Sequence, residues 1–353
     1  MDVIQGFLMQ AVDFVWTGFV TDGNRGTGDF GSFAVGALIS MGKSYFWFLA
    51  GGMFIFAMWV RRPGQRLSLV AGLKYLLPIE VYSKPSVKID LMMVPISWVF
   101  NFTLFAGLSI GSGVMQMWLA QKFGHMPWTL SSLWLAVPLT IAFTMFGTDV
   151  ARFAWHYQGH KVPFFWEFHK GHHSAEALHP VFIRTHPVDM FIRLAYMNMG
   201  GGIIGGGLMY LTGVDASATA AGALVVVNAF INFAQHFEHS HVVFSFGKTL
   251  DKVFYPPHFH RVHHSALLQH RDKNLGRTGG LCLWDQLLGT LYIPTDDEHI
   301  VYGASMGELG EHNPHRTLWG FLVGPFVAAA KTLRRPASGV AEATPARETV
   351  AAR

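Results

Sequence analysis

Five apolar runs of bilayer-crossing length divide this chain, and most of its histidines lie in the segments that follow them. The runs cover roughly 44–60, 91–119, 131–151, 189–213 and 216–235, close to the about 20 residues a helix needs to span a hydrocarbon core. The second is long for one crossing, so it tilts or includes a re-entrant piece. Composition agrees, with 51% hydrophobic and 14% charged residues, where a soluble domain carries about 25% charged. The expectation is an all-α integral membrane protein. Residues 3–20 alternate apolar and small polar positions around Asp13, the pattern of an amphipathic helix, and no basic stretch precedes them, which argues against a cleavable signal peptide.

Positive charge sets the sidedness. The segment 61–88 holds Arg61, Arg62, Arg66, Lys74, Lys84 and Lys88, whereas the loop 120–130 holds only Lys122 and the turn near Asp215 none. Segment 152–188 and the stretch after 236 are basic again. By the positive-inside rule the amino terminus lies outside, and 61–88, 152–188 and 236–353 lie in the cytoplasm. That count used no histidine, yet it puts both histidine-rich segments on one side. A net charge of +4 is too small to argue for nucleic acid as a partner.

Of 19 histidines, 15 fall between His156 and His270. They form four boxes. His156 and His160 are four apart; His169, His172 and His173 follow an H-x-x-H-H pattern. Gln235, His236, His239 and His241 close the fifth run, and His260, His263 and His264 repeat H-x-x-H-H. Steps of three and four bring side chains onto one helix face. Imidazole suits iron, zinc, copper and nickel, and the single cysteine, Cys282, excludes a thiolate cluster. One zinc site needs three or four protein ligands. Eight to ten histidines exceed that and match two metals with four or five nitrogens each, a pair able to bind and split O2. Histidines outside the boxes (His125, His299, His312 and His315) read as surface or hydrogen-bonded residues.

The boxes resemble those of the fatty acid hydroxylase superfamily, also called the sterol desaturase family. The likeness extends to His172-His173-Ser-Ala-Glu176, to Pro257-His-Phe-His260-Arg-Val-His263-His264-Ser265, to Asn274-Leu-Gly276 and to Trp284-Asp285-Gln-Leu-Leu-Gly289-Thr290. Together these cover roughly residues 130–295. The resemblance implies a bundle of about five transmembrane helices with a four-helix core, and a cytoplasmic helical cap holding a histidine-rich dimetal centre. It implies two irons as cofactor, O2 as co-substrate, and hydroxylation or desaturation of a lipid at an unactivated C–H bond. The implied ligands are His156, His160, His169, His172, His173, His236, His239, His260, His263 and His264. In the third box the position four before His239 is Gln235, where relatives often have histidine; this favours His239 over His236 as ligand and leaves Gln235 to hold a water or orient a neighbour. His241 stands where many relatives have Asn.

Asp149 and Asp285 are candidates to orient ligand rings, since a metal-bound histidine usually donates its other N–H to a carboxylate or carbonyl. The plainer readings are a helix-end pair of Asp149 with Arg152 and a helix-start cap at Asp285. The glycine run from Gly200 to Gly207 suits close helix packing, and Asn228 and Asn232 continue at steps of four toward His236. The chain divides into a membrane region 1–130, a catalytic domain 131–295, a cap or interfacial segment 296–335 and a disordered tail 336–353. With no Gly-rich dinucleotide motif or C-x-x-C-H, electrons must come from a separate donor of reductase, ferredoxin or cytochrome b5 type. The competing reading is a histidine-rich membrane metal-binding or metal-transport protein without oxygenase activity. Transporter ligands sit near the bilayer midplane, whereas these boxes follow the ends of runs. A zinc hydrolase is a third class, and no H-E-x-x-H is present.

Overall fold

The computed structural model describes residues 51–52, 70, 74–75, 77–105, 112–130, 132–180, 183–214, 220–295, 298–303 and 314–334. The amphipathic segment 3–20, most of the first apolar run and the tail from 336 lie outside the described residues. Among those described, all regular structure is helical; β-pairing is limited to isolated bridges at Leu130–Val214 and Phe254–Leu281. The helices are α1 (Pro85–Phe105), α2 (Ser112–Phe123), α3 (Leu133–Lys161), α4 (Pro163–His173), α5 (Pro187–Ala195), α6 (Gly201–Thr212), α7 (Ala220–Glu238), α8 (Pro257–His263), α9 (Leu283–Leu288) and α10 (Leu318–Arg334). Among the described residues α3 is the helix long and apolar enough to cross a membrane.

Two apolar runs map onto the described helices as follows. Of the run 91–119, the described residues lie in α1 and α2, and 106–111 lie outside the described residues. The run 189–213 is α5, one wider π-helical turn (Tyr196–Gly200), then α6. Glycine's backbone freedom at the start of the run 200–207 suits this local change of winding.

Those glycines set the central helix crossing. A Cβ on Gly147 of α3 would lie 2.5 Å from the carbonyl oxygen of Gly201 and 2.8 Å from the amide nitrogen of Gly205. Backbone meets backbone there, as small residues permit. α6 closes at Gly213, whose φ of +68° is a left-handed cap that a side chain would strain. Met209 of α6 and Val214 pack with Ala136 of α3 in one apolar cluster. A second cluster, Ile89, Met93 and Phe321, joins α1 to α10; a third, Tyr255, Phe259 and Cys282, supports α8. The carboxyl end of α3 meets α4 and α8 at their histidines, with the His156 ring 5.0 Å from that of His169 and 4.5 Å from that of His263.

Candidate metal centre

Nine of the ten predicted ligands converge. Within each of two groups the candidate ligand atoms lie within 4.8 Å of one another: His156, His160, His169, His173 and His263 in one, His172, His239, His260 and His264 in the other. Helical geometry explains the division. In the second box His169 and His173, four apart, serve the five-membered group and His172 the other; in the fourth box His260 and His264 serve the four-membered group and His263 the first. Positions i and i+4 nearly eclipse, while i+3 lies about 100° round the axis from i+4. One turn of H-x-x-H-H thus faces two centres at once, and the two boxes do so with opposite assignments. The centres adjoin: His173 and His264 stack with ring centroids 4.5 Å apart.

The outward nitrogens are held by backbone and carboxylates. His156 Nδ1 donates to the Leu275 carbonyl (2.6 Å), His263 Nδ1 to Lys273 (2.9 Å), His172 Nδ1 to Arg184 (2.7 Å) and His239 Nδ1 to Gln235 (3.0 Å). His169 Nδ1 is 3.0 Å from Asp189 Oδ2, and His160 Nδ1 is 3.3 Å from Asp272 Oδ1. A carbonyl or carboxylate only accepts, so the proton sits on Nδ1 and a bare lone pair points inward from Nε2. The Nε2 atoms of all five histidines in the first group are buried with no hydrogen-bond partner. In the second group Nε2 of His239 lies 3.2 Å from that of His172 and 3.0 Å from that of His260, which is itself 3.0 Å from Nε2 of His264. Such spacings match adjacent ligands on one ion with metal–nitrogen bonds of about 2.1 Å. Burial pushes His172, His173, His260, His263 and His264 well below the usual imidazole range, and His239 to about 3. The rings are neutral at pH 7, the form that binds metal. The donor set fits a pair of metal ions.

His236 joins neither group. Its Nδ1 donates to the Pro180 carbonyl at 2.6 Å, because a step of three separates it from His239 by about 60° round the helix. Gln235 contributes its carbonyl to His239, while its side chain accepts from Arg193 at 2.6 Å. His241 turns away, with Nε2 on the Tyr75 carbonyl. The side chains of Asn228 and Asn232 lie outside the described residues.

The two aspartates touch no ligand ring. Asp149, two turns before His156 and so about 10 Å along α3, accepts from the Leu281 amide and Trp284 Nε1. Asp285 accepts from the amides of Leu275 and Gly276 and from Thr290 Oγ1, and so steadies the loop whose Leu275 carbonyl holds His156. Carboxylates that do meet ligand rings are Asp189, which also accepts from Trp155 Nε1 at 2.9 Å, Asp272, and the buried Glu238, whose Oε1 lies 3.6 Å from His239 Nδ1. Asp189 lies early in α5 and is brought in by packing against α3. Asp272 and Asn274 adopt left-handed φ of 54° and 53°, which two short polar side chains tolerate; the loop so formed supplies the Lys273 and Leu275 carbonyls. Its short Asp-x-Asn spacing was the available sequence signal.

His179, His258 and His270 also lie apart from both groups: His179 bonds Asp90, His258 the Phe244 carbonyl and His270 Glu298. His186 accepts from the Val188 amide at the start of α5. An open cavity of about 340 Å³ reaches both groups at His160, His173, His263 and His264, between Trp166 and Leu268.

A profile of the fatty acid hydroxylase family matches residues 141–290. An ornithine lipid hydroxylase of Rhizobium tropici is 31% identical over 159 residues, which cover 45% of this chain and 42% of that protein. The chain thus matches less than half of that relative's length. No solved structure matches. Residues 141–290, which contain every histidine of both groups, are thus similar to the fatty acid hydroxylase family.

Proposed function

We propose that this protein is a membrane-bound, O2-dependent lipid hydroxylase or desaturase whose two histidine groups each hold one iron. The observation that carries the reading is the convergence of nine histidines, eight buried and His160 half-buried, beside one open cavity. Bound iron would supply reduction of O2 and attack on an unactivated C–H bond. Hydroxylation then takes O2, two electrons and two protons, and yields an alcohol and water; desaturation takes the same and yields an alkene and two waters.

The chain's own residues hold and shape that site. Neutral imidazoles bind metal without adding charge, and the carbonyls of Leu275, Lys273, Arg184 and Gln235 fix ring orientation. Large apolar side chains point outward from the membrane-type helices, among them Trp134, Leu135, Ile203, Leu211 and Val226. They suit contact with lipid tails. A lipid substrate would slide in from the bilayer, and the relative named for ornithine lipid favours a lipid over a soluble substrate. Several spans with the histidines on the cytoplasmic side follow from the charge pattern, and a separate electron donor from the lack of a dinucleotide motif.

The test is lipid mass analysis of cells with the wild-type protein or with His263→Ala. A lipid that gains one oxygen or loses two hydrogens only with the wild type supports the reading. Unchanged lipids, together with a protein that binds metal, would favour the metal-binding alternative.

A further inference from the structure

We infer that Asp90, on α1 and outside the family-matched segment, is a positioning residue for the four-histidine centre, acting through Arg184 on His172. This rests on the reading that the histidine groups bind metal.

His172 is aimed by one atom, the carbonyl oxygen of Arg184, which accepts from its Nδ1 at 2.7 Å. That carbonyl lies in residues 183–186, just before α5, which form no helix or strand, so no regular ladder fixes it. The Arg184 side chain fixes it instead. Its Nε donates to Asp90 Oδ1 at 2.5 Å, one Nη to Ser174 Oγ at 3.0 Å and the other to the Ser86 carbonyl. Asp90 and Arg184 are 2% and 3% exposed. A buried guanidinium needs a buried anion, and Asp90 is the carboxylate bonded to it. The second Asp90 oxygen accepts from His179 Nε2 at 2.9 Å, so both oxygens tie the 174–186 segment to α1. A further clasp joins the same elements: the Ser86 amide donates to Glu176 Oε2 and the Glu176 amide to Ser86 Oγ, each at 3.1 Å.

The consequence is directional. Asp90→Asn keeps shape but leaves the buried Arg184 charge without its partner. The 184 carbonyl then loses its anchor, and His172 its fixed ring orientation. His156, His160 and His263 take their carbonyls and carboxylate from the 272–275 loop, which Asp90 does not touch. The effect should therefore fall on one of the two metals. Loss of a group that directly orients a metal ligand costs about 10–100-fold in affinity; one bond further removed, a weakening of roughly three- to tenfold is expected.

Cobalt(II) titration of purified wild-type, Asp90→Asn, His172→Ala and doubly substituted protein, followed by ligand-field absorption, tests this. Expected are two ions in the wild type, and in Asp90→Asn one ion bound normally with the other weakened and spectrally shifted. Once His172→Ala is present, Asp90→Asn should add nothing. Asp90→Glu, which retains the charge, should recover part of the lost affinity. Two ions bound identically by wild type and Asp90→Asn would overturn the inference while leaving the metal reading intact. Equal weakening of both ions, or an additive effect in the double variant, would make Asp90 a general structural residue and would also overturn it. A wild type that binds no metal would instead remove the reading beneath it.

Discussion

Nε2 of His172 and Nε2 of His239 face each other at 3.2 Å, although the Nδ1 of each ring donates to a backbone carbonyl. Two lone pairs held that close repel unless a cation lies between them. The fold keeps them there at a cost in stability without metal, so loss of either ring should empty the four-histidine group. His172→Ala and His239→Ala should each lower metal occupancy by one ion per chain and stop turnover, by metal analysis and lipid assay. His241→Asn should be tolerated, since His241 bonds Tyr75 and not the centre.

His236 supplies a contrasting case within the same box. Its bond to the Pro180 carbonyl predicts a stability loss of about 1 kcal/mol for His236→Ala, with both metals retained. Loss of one metal from this variant would place His236 among the ligands after all.

Asp189 links His169 to Trp155. Asp189→Asn should weaken one metal by about 10–100-fold, here the ion of the five-histidine group. Equilibrium dialysis with radioactive iron under anaerobic conditions reads this directly, and unchanged affinity for both ions would refute the role.

Much of the site was legible as spacing and much of its support was not. The H-x-x-H-H boxes announce themselves because i, i+3 and i+4 positions share a helix face, whatever the tertiary fold. Which face meets which centre depends on packing, and so His236, three residues from His239 in a box that resembles the family's, stands in the expected ligand set although its ring faces Pro180. The carbonyls of Leu275, Lys273 and Arg184 carry no residue code, so no sequence pattern marks them. Asp189 and Asp272 become partners of ligand rings only because α5 packs on α3 and because two left-handed residues fold the 272–275 loop. The glycine run was readable as a close crossing, and Gly147 beneath Gly201 and Gly205 is its counterpart.

Gly147→Val therefore should drive α3 and α6 apart. Overpacking of this kind costs typically about 1–3 kcal/mol, measurable as a lowered unfolding midpoint in detergent. Gly207→Ala, where no atom lies within 4 Å of the added Cβ, is the control and should be near neutral.

Acid should destabilise the metal-free protein. Burial holds His172, His173, His239, His260, His263 and His264 below their ordinary values, so an unfolded chain takes up protons near pH 6.5 that the folded chain refuses. The unfolded state then binds more protons, and stability rises with pH through that region. Expected is a steady loss of apoprotein stability from pH 7.5 down to 5.5 in denaturant titrations. A flat or opposite profile would contradict the neutral, buried assignment of these rings.

The most direct measurement is iron bound per chain after anaerobic reconstitution, read by metal analysis together with Mössbauer spectroscopy. The account predicts two irons per wild-type chain, one lost in His260→Ala and one in His156→Ala, with O2 consumed only by the wild type. A single iron shared by both groups, or two irons that survive either substitution, would contradict it.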